Sequence, residues 1–337
     1  PSPPTSWGRS NDREVIQLAK KIGFIGAGAI SEVHYEAIKR LDGAELVAFY
    51  EKDPTLAERR EREWNVRKTD SLDELLRSDI DIVYVLSPVE VHYEHTIAAL
   101  QAKKHVLVEK PVGKNVAEIK EMAALAKEVN RVCFPAHNYI YHPEIIRFRS
   151  YIDEGVFGQI CSVWMTFNIF HSEELASHYP GVNRQIMTHH LYTTLYLLGK
   201  PKKIGCMSTN LHYEKLERED QSVMLLEMEN GAQVILFSSF AGDDQTSYPW
   251  PYLVKILGTK GGATHSWQDV VYDRSIGTLS KAYPKYEELF YYEAKYFLEE
   301  CILNGKPPLS TLEDAAIVQE LVELAEQNDG KQFIPYR

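Results

Sequence analysis

The chain has 337 residues, 44% hydrophobic and 25% charged, which excludes a disordered or collagen-like protein and leaves room for two domains with cores. Its 37 basic and 48 acidic side chains give a net charge of −11, which argues against nucleic acid or an anionic membrane as the main partner. No apolar run reaches the ~18 residues of a membrane span. The four cysteines are isolated, so we expect structural thiols in a reducing, cytoplasmic setting.

The first part of the chain predicts a nucleotide-binding architecture. Residues 1–20 have no apolar signal segment and are interpreted as an N-terminal arm. From 21 to 139, buried-strand runs alternate with helical patterns, which predicts an α/β Rossmann domain with a doubly wound parallel sheet. The expected strands are 21–25, 45–50, 81–86, 105–108 and 131–136. The expected helices are 29–40, 70–77, 92–101 and 116–129.

Residues 140–337 predict a second domain of a different kind. Long alternating strands favour an α+β domain with a large, mostly antiparallel open sheet and helices on one face. Asn230-Gly231 is a strong hairpin signal between two of these strands. The expected strands are 159–170, 202–213, 221–229, 232–240, 251–258 and 264–272. The expected helices are 144–154, 185–198, 286–303 and 312–327.

A glycine motif lies where the first strand turns into the first helix. Gly26 permits a tight turn, Gly28 lets the backbone approach a pyrophosphate, and Ala29 and Ile30 open the helix whose free N–H groups favour anions. A chance glycine pair in a turn is the alternative interpretation. The strand before it and the helix after it favour a dinucleotide site.

An acidic residue ends the second strand. Glu51 follows the glycine motif at about the distance expected for the carboxylate that binds the adenosine ribose. A carboxylate there repels a 2′-phosphate, which favours NAD over NADP. Lys52 favours NADP instead, since its side chain could reach the 2′-phosphate. The alternative interpretation of Glu51 is a solvated turn residue without a role in binding.

Several motifs carry a family resemblance. Gly26-x-Gly28, Ser87-Pro88-Val89-Glu90-Val91-His92 and Lys104-His105-Val106-Leu107-Val108-Glu109-Lys110-Pro111 resemble the Gfo/Idh/MocA oxidoreductases, which include glucose–fructose oxidoreductase and inositol dehydrogenases. The resemblance covers about residues 21–330, and Glu109-Lys110-Pro111 is its most specific block. It implies a bound nicotinamide cofactor, sugar, polyol or cyclitol substrates, and homodimers or homotetramers formed through the exposed sheet of the second domain.

The resemblance also assigns roles to individual residues. Lys110 matches the lysine that contacts both the reacting oxygen and the cofactor, and His189 matches the usual catalytic histidine. Further cofactor-binding positions are Ser87, His92, Glu109 and Asn138. Tyr139, Gln185 and Tyr192 are expected beside the substrate, together with Lys110 and His189. The Lys110–Pro111 peptide bond is a candidate for the cis form.

The chain departs from the family pattern close to this histidine. Gln185 stands where an aspartate is common, and Tyr192 stands at a later aspartate position. A glutamine can orient a hydroxyl group but cannot take a proton. The departures therefore bear on the identity of the substrate more than on hydride transfer itself.

Alcohol oxidation needs a base and a cation, and two residues suit these roles. His189 suits the base, since imidazole titrates near neutral pH, and Lys110 suits stabilisation of the developing alkoxide. A surface lysine and a buried core histidine are the plain alternatives. His190 points away from His189 around the helix and is interpreted as structural. No cysteine or carboxylate cluster joins the two histidines, so we expect no metal.

Two aromatic and polar segments, 171–179 and 243–252, suit contact with a sugar, although core or interface packing explains them equally well.

Three functions remain open. The first is an NAD-dependent sugar or cyclitol dehydrogenase. The second is a redox-cycling enzyme in which tightly held NAD oxidises a sugar or glycoside transiently. The third is a non-catalytic nucleotide sensor. Net turnover of free NAD separates the first from the second.

Overall fold

The structure of the protein is a computed structural model, which describes residues 19–242, 252–266, 270–273, 277–280, 286–331 and 334–336. Residues 1–18 of the predicted N-terminal arm 1–20 and most of the predicted aromatic segment 243–252 lie outside these residues, and Lys20 already belongs to the first strand. Within the described part of the chain, no helix is both long and apolar enough to cross a membrane.

The first sheet is parallel throughout. Among the described residues it has six strands in the order β3-β2-β1-β4-β5-β6. Every residue of β4 is buried, as expected for a parallel strand covered on both faces. These strands are β1 (Lys20–Ile25), β2 (Ala44–Tyr50), β3 (Arg67–Lys68), β4 (Ile82–Val85), β5 (His105–Val108) and β6 (Cys133–Pro135). This sheet confirms the predicted Rossmann architecture.

Helices cover both faces of the first sheet. They are α1 (Ala29–Ile38), α2 (Pro54–Trp64), α3 (Leu72–Arg77), α4 (His92–Gln101) and α5 (Val116–Glu128). Helix α2 was not predicted, although its start carries clear signals. Pro54 is its first residue, and the Asp53 carboxylate accepts hydrogen bonds from the N–H groups of Thr55 and Leu56.

The second sheet is mostly antiparallel, as predicted. In the part that the structure describes, its order is β12-β11-β7-β10-β9-β8-β15, and only β7 and β10 pair in parallel. Asn230-Gly231 joins β9 to β10 as an antiparallel hairpin. The strands are β7 (Ile160–Asn168), β8 (Pro201–Thr209), β9 (Gln221–Met228), β10 (Gln233–Ser239), β11 (Tyr252–Gly258), β12 (Gly262–Ser266) and β15 (Ile334–Pro335).

Two predictions for the second domain were wrong in detail. The strand expected at 264–272 is divided between β12 and a separate hairpin of β13 (Val270–Asp273) and β14 (Gly277–Ser280). The helix expected at 185–198 begins as a π-helical turn, Asn183–Met187, before α8 (Thr188–Leu198). The other helices are α6 (Pro143–Asp153), α7 (Glu173–Ala176), α9 (Glu287–Lys295), which continues as a π-helical segment (Tyr296–Leu303), and α10 (Leu312–Gln327).

The end of the chain returns to the first domain. Helix α9 packs on α1, and α10 packs on α5 as well as on α8. Phe290 and Phe297 join the core on one face of the first sheet, whereas Leu312, Ala315 and Ala316 join the core on the other. Lys110, after β5, and Asn138, after β6, form hydrogen bonds with Gln185 and Tyr192, so the second domain also lies against the carboxyl ends of the parallel strands. Strand β1 lies between β2 and β4, which makes this edge the switch point where open α/β sheets bind ligands.

Candidate active site

The glycine loop between β1 and α1 has the geometry of a phosphate cradle. Gly26 has φ +98°, and a Cβ there would lie 2.8 Å from backbone atoms of Leu86 and Ser87. A Cβ on Gly28 would meet nothing within 4 Å, so the backbone faces open space. The Ser31 hydroxyl donates to the Gly26 carbonyl at 3.0 Å and stabilises the turn. Ala29 is exposed and Ile30 half-buried at the start of the helix.

Glu51 lies directly beside this loop. Its carboxylate accepts from Ala27 N–H at 2.8 Å and from Asp53 N–H at 3.0 Å. Arg60, on α2, also contacts this loop: its Nε donates to the Ala27 carbonyl at 3.1 Å. The Arg60 guanidinium is in addition paired with Glu32 and Glu63. The loop is thus tied to the end of β2 by a carboxylate and to α2 by a guanidinium that is already neutralised.

Ser87 and His92 follow β4 at the same edge. The Ser87 hydroxyl lies 2.9 Å from His95 Nδ1, and Ser87 is partly accessible. His92 is 2% exposed, and its two ring nitrogens face the carbonyl oxygens of Ser87 and Pro111. In this structure His92 joins the segment after β4 to the segment after β5, and so fixes the position of the two segments relative to each other.

Glu109 forms a buried pair with a histidine that the sequence analysis missed. His34 Nε2 lies 3.0 Å from Glu109 Oε1, and the Lys110 backbone N–H donates to Glu109 Oε2 at 2.7 Å. Burial opposes ionisation of Glu109, but His34 and Lys110 outweigh it, and the pKa of the carboxyl lies below its ordinary value. Glu109 therefore orients the lysine segment. The Lys110–Pro111 peptide bond is cis.

The Lys110 side chain reaches from the segment after β5 to the second domain. Its ammonium donates to the Gln185 carbonyl oxygen at 3.1 Å, in the π-helical turn that precedes α8. Burial lowers the pKa of this lysine, while the nearby Glu109 carboxylate acts in the opposite direction. The Gln185 side chain is partly exposed, so that its amide remains accessible beside the lysine.

His189 lies in a buried polar cluster that includes Asn138. His189 is 3% exposed, and its Nδ1 lies 2.7 Å from the Tyr192 hydroxyl. Tyr192 also donates to Asn138 Oδ1 at 3.1 Å and accepts from Tyr139 N–H at 3.2 Å. Burial lowers the pKa of His189 well below its ordinary value, and Lys110, His190 and His137 lower it further. The Lys110 ammonium binds the carbonyl of Gln185, four residues before His189, so the lysine reaches the helical run that carries the histidine.

The rings of Tyr139, Phe167 and Tyr192 surround His189. Their centroids lie 4.6, 6.1 and 5.5 Å from that of His189. His190 is fully buried with Nε2 3.2 Å from the Phe237 carbonyl, which agrees with a structural role. Among the described residues, no three or more His, Cys, Asp or Glu side chains are arranged to hold a metal ion.

The aromatic segment 171–179 leads directly into this site. It follows β7, which carries Phe167, and precedes the turn that carries Gln185. His171 and Tyr179 pack with Phe240 at centroid distances of 5.5 and 5.6 Å, so part of the segment serves packing.

The parallel sheet and its glycine loop thus define a dinucleotide-binding fold of the Rossmann type. Residues 20–137 match the family described as "Oxidoreductase family, NAD-binding Rossmann fold", and residues 145–264 match the GFO/IDH/MocA C-terminal domain. The chain belongs to the Gfo/Idh/MocA family of NAD-binding oxidoreductases. This confirms the resemblance and the expectation of NAD as the cofactor.

Individual relatives are distant but cover most of the chain. The scyllo-inositol 2-dehydrogenase (NAD(+)) of Bacillus subtilis is 25% identical over 92% of this chain and 94% of its own. A 4-carboxy-2-hydroxymuconate-6-semialdehyde dehydrogenase from a Sphingobium species is 27% identical over 66% of this chain and 73% of its own. The crystal structure of GenD2 from gentamicin A biosynthesis in complex with NAD superimposes with a TM-score of 0.81 at 22% identity, covering 95% of this chain and 97% of that one. At this identity the likeness concerns the fold.

Proposed function

We propose that the protein is an NAD-dependent dehydrogenase that oxidises a secondary alcohol of a sugar, sugar derivative or cyclitol, or reduces the corresponding ketone. The observation that carries the proposal is the hydrogen bond from Lys110, at the strand edge that also bears the glycine loop, to the Gln185 carbonyl, four residues before His189 in the second domain. The activity named for the inositol dehydrogenase relative supports the same substrate class.

The residues at this edge fit NAD. The open space before Gly28, together with the N–H groups at the start of α1 beside Ala29 and Ile30, suits a pyrophosphate. Glu51 would bind the adenosine ribose, and Ser87, Glu109, Lys110 and Asn138 would line or support the nicotinamide side, with His92 behind them. Bound NAD supplies the hydride acceptor. Glu51 also favours NAD over NADP, because its charge opposes a 2′-phosphate.

The protein's own groups would handle the proton. His189, whose low pKa keeps it neutral near pH 7, would accept the proton of the substrate hydroxyl. The Lys110 ammonium would stabilise the negative charge that develops on the substrate oxygen, and the Gln185 carbonyl holds the ammonium in place. Gln185, Tyr139 and Tyr192 would border the substrate. With glutamine at position 185, no proton can be taken there.

The first test follows the absorbance of NADH when the protein is mixed with NAD and a panel of sugars, cyclitols, sugar nucleotides and glycosides. Lys110→Met should lower kcat by about 10²–10³-fold, because one stabilising charge at the developing alkoxide is lost. Lys120→Met is the matched control, since Lys120 is exposed on α5 and should keep full activity.

The other outcomes are equally informative. Substrate consumption without accumulation of NADH would replace the dehydrogenase with a redox-cycling enzyme. Binding of NAD without turnover of any panel member would leave the nucleotide sensor, and full activity of Lys110→Met would remove the lysine from the mechanism.

We further propose a homodimer or homotetramer formed through the second sheet, as the family resemblance implies. The outer face of the sheet supports this assembly. Leu225, Ile235 and Trp164 lie side by side on β9, β10 and β7 and are 39%, 36% and 44% exposed. A continuous apolar row on a folded surface suits contact with a second copy.

A further inference from the structure

We propose that Tyr192 is a positioning residue for His189, because its hydroxyl fixes the imidazole in the tautomer that carries the proton on Nδ1 and leaves Nε2 as the accepting nitrogen. This inference deepens the proposed function and rests on it for its kinetic consequences. Its structural content, the tautomer of a buried histidine, is measurable without any substrate.

Three polar atoms surround the Tyr192 hydroxyl oxygen. His189 Nδ1 lies at 2.7 Å, Asn138 Oδ1 at 3.1 Å and the Tyr139 backbone nitrogen at 3.2 Å. Tyr192 is 1% exposed, so water does not compete for these contacts.

A count of protons selects one arrangement of these hydrogen bonds. The Tyr139 N–H can only donate, so the phenol oxygen accepts from it. The structure orients the Asn138 amide with its oxygen towards the phenol, and in this orientation Oδ1 can only accept, so it takes the single phenol proton. The remaining neighbour, His189 Nδ1, must then donate to the phenol oxygen, which requires the proton on Nδ1. In neutral imidazole the other nitrogen, Nε2, is left with its lone pair.

The surroundings hold the phenol in this role. His137 stacks on Tyr192 with a centroid distance of 4.3 Å and an interplanar angle of 12°, and His137 Nδ1 lies 2.7 Å from the Ser310 hydroxyl. Burial raises the pKa of Tyr192 well above its ordinary value, so that the phenol keeps its proton under working conditions. The ring is therefore fixed between α8, the segment after β6 and the segment before α10.

Among the residues that the structure describes, the phenol leaves His189 without a negative partner. The charged or titratable groups that act on its pKa are Lys110, His190 and His137, and all three lower it in addition to burial. The imidazole is therefore neutral at pH 6.5 and above, and it becomes protonated only at a lower pH than an ordinary histidine does. A carboxylate at position 192 would instead favour the imidazolium and raise the pKa.

The decisive experiment measures the tautomer by ¹⁵N NMR of protein labelled in histidine, with the His189 signals assigned by their loss in His189→Gln. Wild type should show the Nδ1–H form. Tyr192→Phe should lose it or mix it with the Nε2–H form, because the phenol oxygen is gone. Tyr196→Phe, the same change one turn later on α8, should leave the His189 signals unchanged. An Nε2–H form in wild type, or no change in Tyr192→Phe, would overturn the proposal.

Kinetics then test the consequence. Tyr192→Phe should lower kcat by about 10- to 100-fold with little change in KM, as for other residues that orient a functional histidine. Tyr192→Asp should move the acidic limb of the kcat/KM profile to higher pH by about one unit or more, because a nearby carboxylate favours imidazolium. Unchanged kcat and pH profile in Tyr192→Phe, with melting temperature retained, would contradict positioning. Wild type without alcohol oxidation would remove the proposed function and leave the NMR result standing.

Discussion

Burial acts on the two candidate catalytic side chains in the same direction, because both are bases whose charged forms lose water in the cleft. It lowers the pKa of Lys110 and that of His189, and the positive charge of Lys110 lowers the pKa of His189 further. Within the described part of the chain, the lysine has a carboxylate acting against this effect, that of Glu109, and the histidine has none. The site thus combines a lysine whose lowered pKa is partly restored by a carboxylate neighbour with a histidine whose lowered pKa keeps it neutral near pH 7.

Glu51 gives a prediction about cofactor choice at the scale of a single residue. Glu51→Gln removes the negative charge and keeps one acceptor oxygen. NAD should bind about tenfold more weakly, since a hydrogen bond to a charged acceptor is worth about 1.5–3 kcal/mol. NADP should bind more tightly than it does to wild type, because repulsion of the 2′-phosphate is gone. Titration with each cofactor by calorimetry measures both changes.

Glu58→Gln provides the control for this substitution, since Glu58 is exposed on α2 and should leave both affinities unchanged. The melting temperature of Glu51→Gln must also be measured, because the carboxylate accepts from Ala27 and Asp53 N–H groups. An unchanged ratio of NAD to NADP affinity would show that Glu51 does not read the ribose.

Sequence motifs were sufficient to identify Lys110 and His189 as candidate catalytic residues. The partners of the lysine segment could not be identified in this way, because they depend on packing between distant segments. The ammonium of Lys110 binds a carbonyl 75 residues later, and Glu109 binds a histidine 75 residues earlier. A backbone carbonyl leaves no mark on the residue type at position 185. His34 lies on α1 at a position whose sequence pattern does not distinguish it from other buried helix positions. Neither the Lys110–Gln185 contact nor the Glu109–His34 contact therefore follows from local sequence.

At the scale of elements, the turn from β1 into α1 separates two requirements for glycine. Gly26 needs its positive φ and a close approach to the segment after β4, which are requirements of the fold. Gly28 has φ −70° and open space before it, so the folded chain itself would tolerate a methyl group there. We therefore propose that the requirement for glycine at position 28 comes from the ligand.

The two glycines form a matched pair of variants. Gly26→Ala should destabilise the protein by about 1–3 kcal/mol or more, because the new Cβ has strained φ and collides with backbone. Gly28→Ala should keep the wild-type melting temperature and weaken NAD by at least about tenfold, because the methyl group fills the space of the pyrophosphate. Thermal unfolding and calorimetric titration of both variants measure this. Equal NAD affinity in Gly28→Ala would place the pyrophosphate elsewhere.

Elements with strong local periodicity were predictable, and those set by tertiary contacts were not. The predicted helices 92–101 and 312–327 have the bounds of α4 and α10. The predicted single strand 264–272 contributes instead to two sheets, as β12 at the edge of the second sheet and as β13 of a separate hairpin, and periodicity does not show which strands pair. The π-helical turn Asn183–Met187 also has no sequence period of its own, yet it places the Gln185 carbonyl before Lys110.

The whole molecule is arranged so that one face of the second sheet is covered by its own helices while the other carries apolar side chains. Strands β7 to β10 alternate buried and accessible residues, as expected for a sheet with one covered face. Trp164 lies at the middle of the accessible face, opposite Ile235 on one side and Lys255 on the other. The Lys255 ammonium lies 5.7 Å from the Trp164 ring centroid.

This face predicts the assembly of the molecule. Trp164→Glu should weaken self-association on the order of 100-fold, because a central tryptophan of an interface typically contributes about 2 kcal/mol or more and a buried carboxylate adds a desolvation cost. Sedimentation of wild type should show a dimer or tetramer, and that of the variant a shift towards monomer at the same concentration.

Ile146→Glu is the control, since Ile146 is similarly exposed at 38% but lies on α6. A monomeric wild type, or a Trp164→Glu variant that sediments like wild type, would exclude this face as the interface. Activity that persists in the monomer would further show that the site, built from Lys110 and His189 of one chain, needs no second copy.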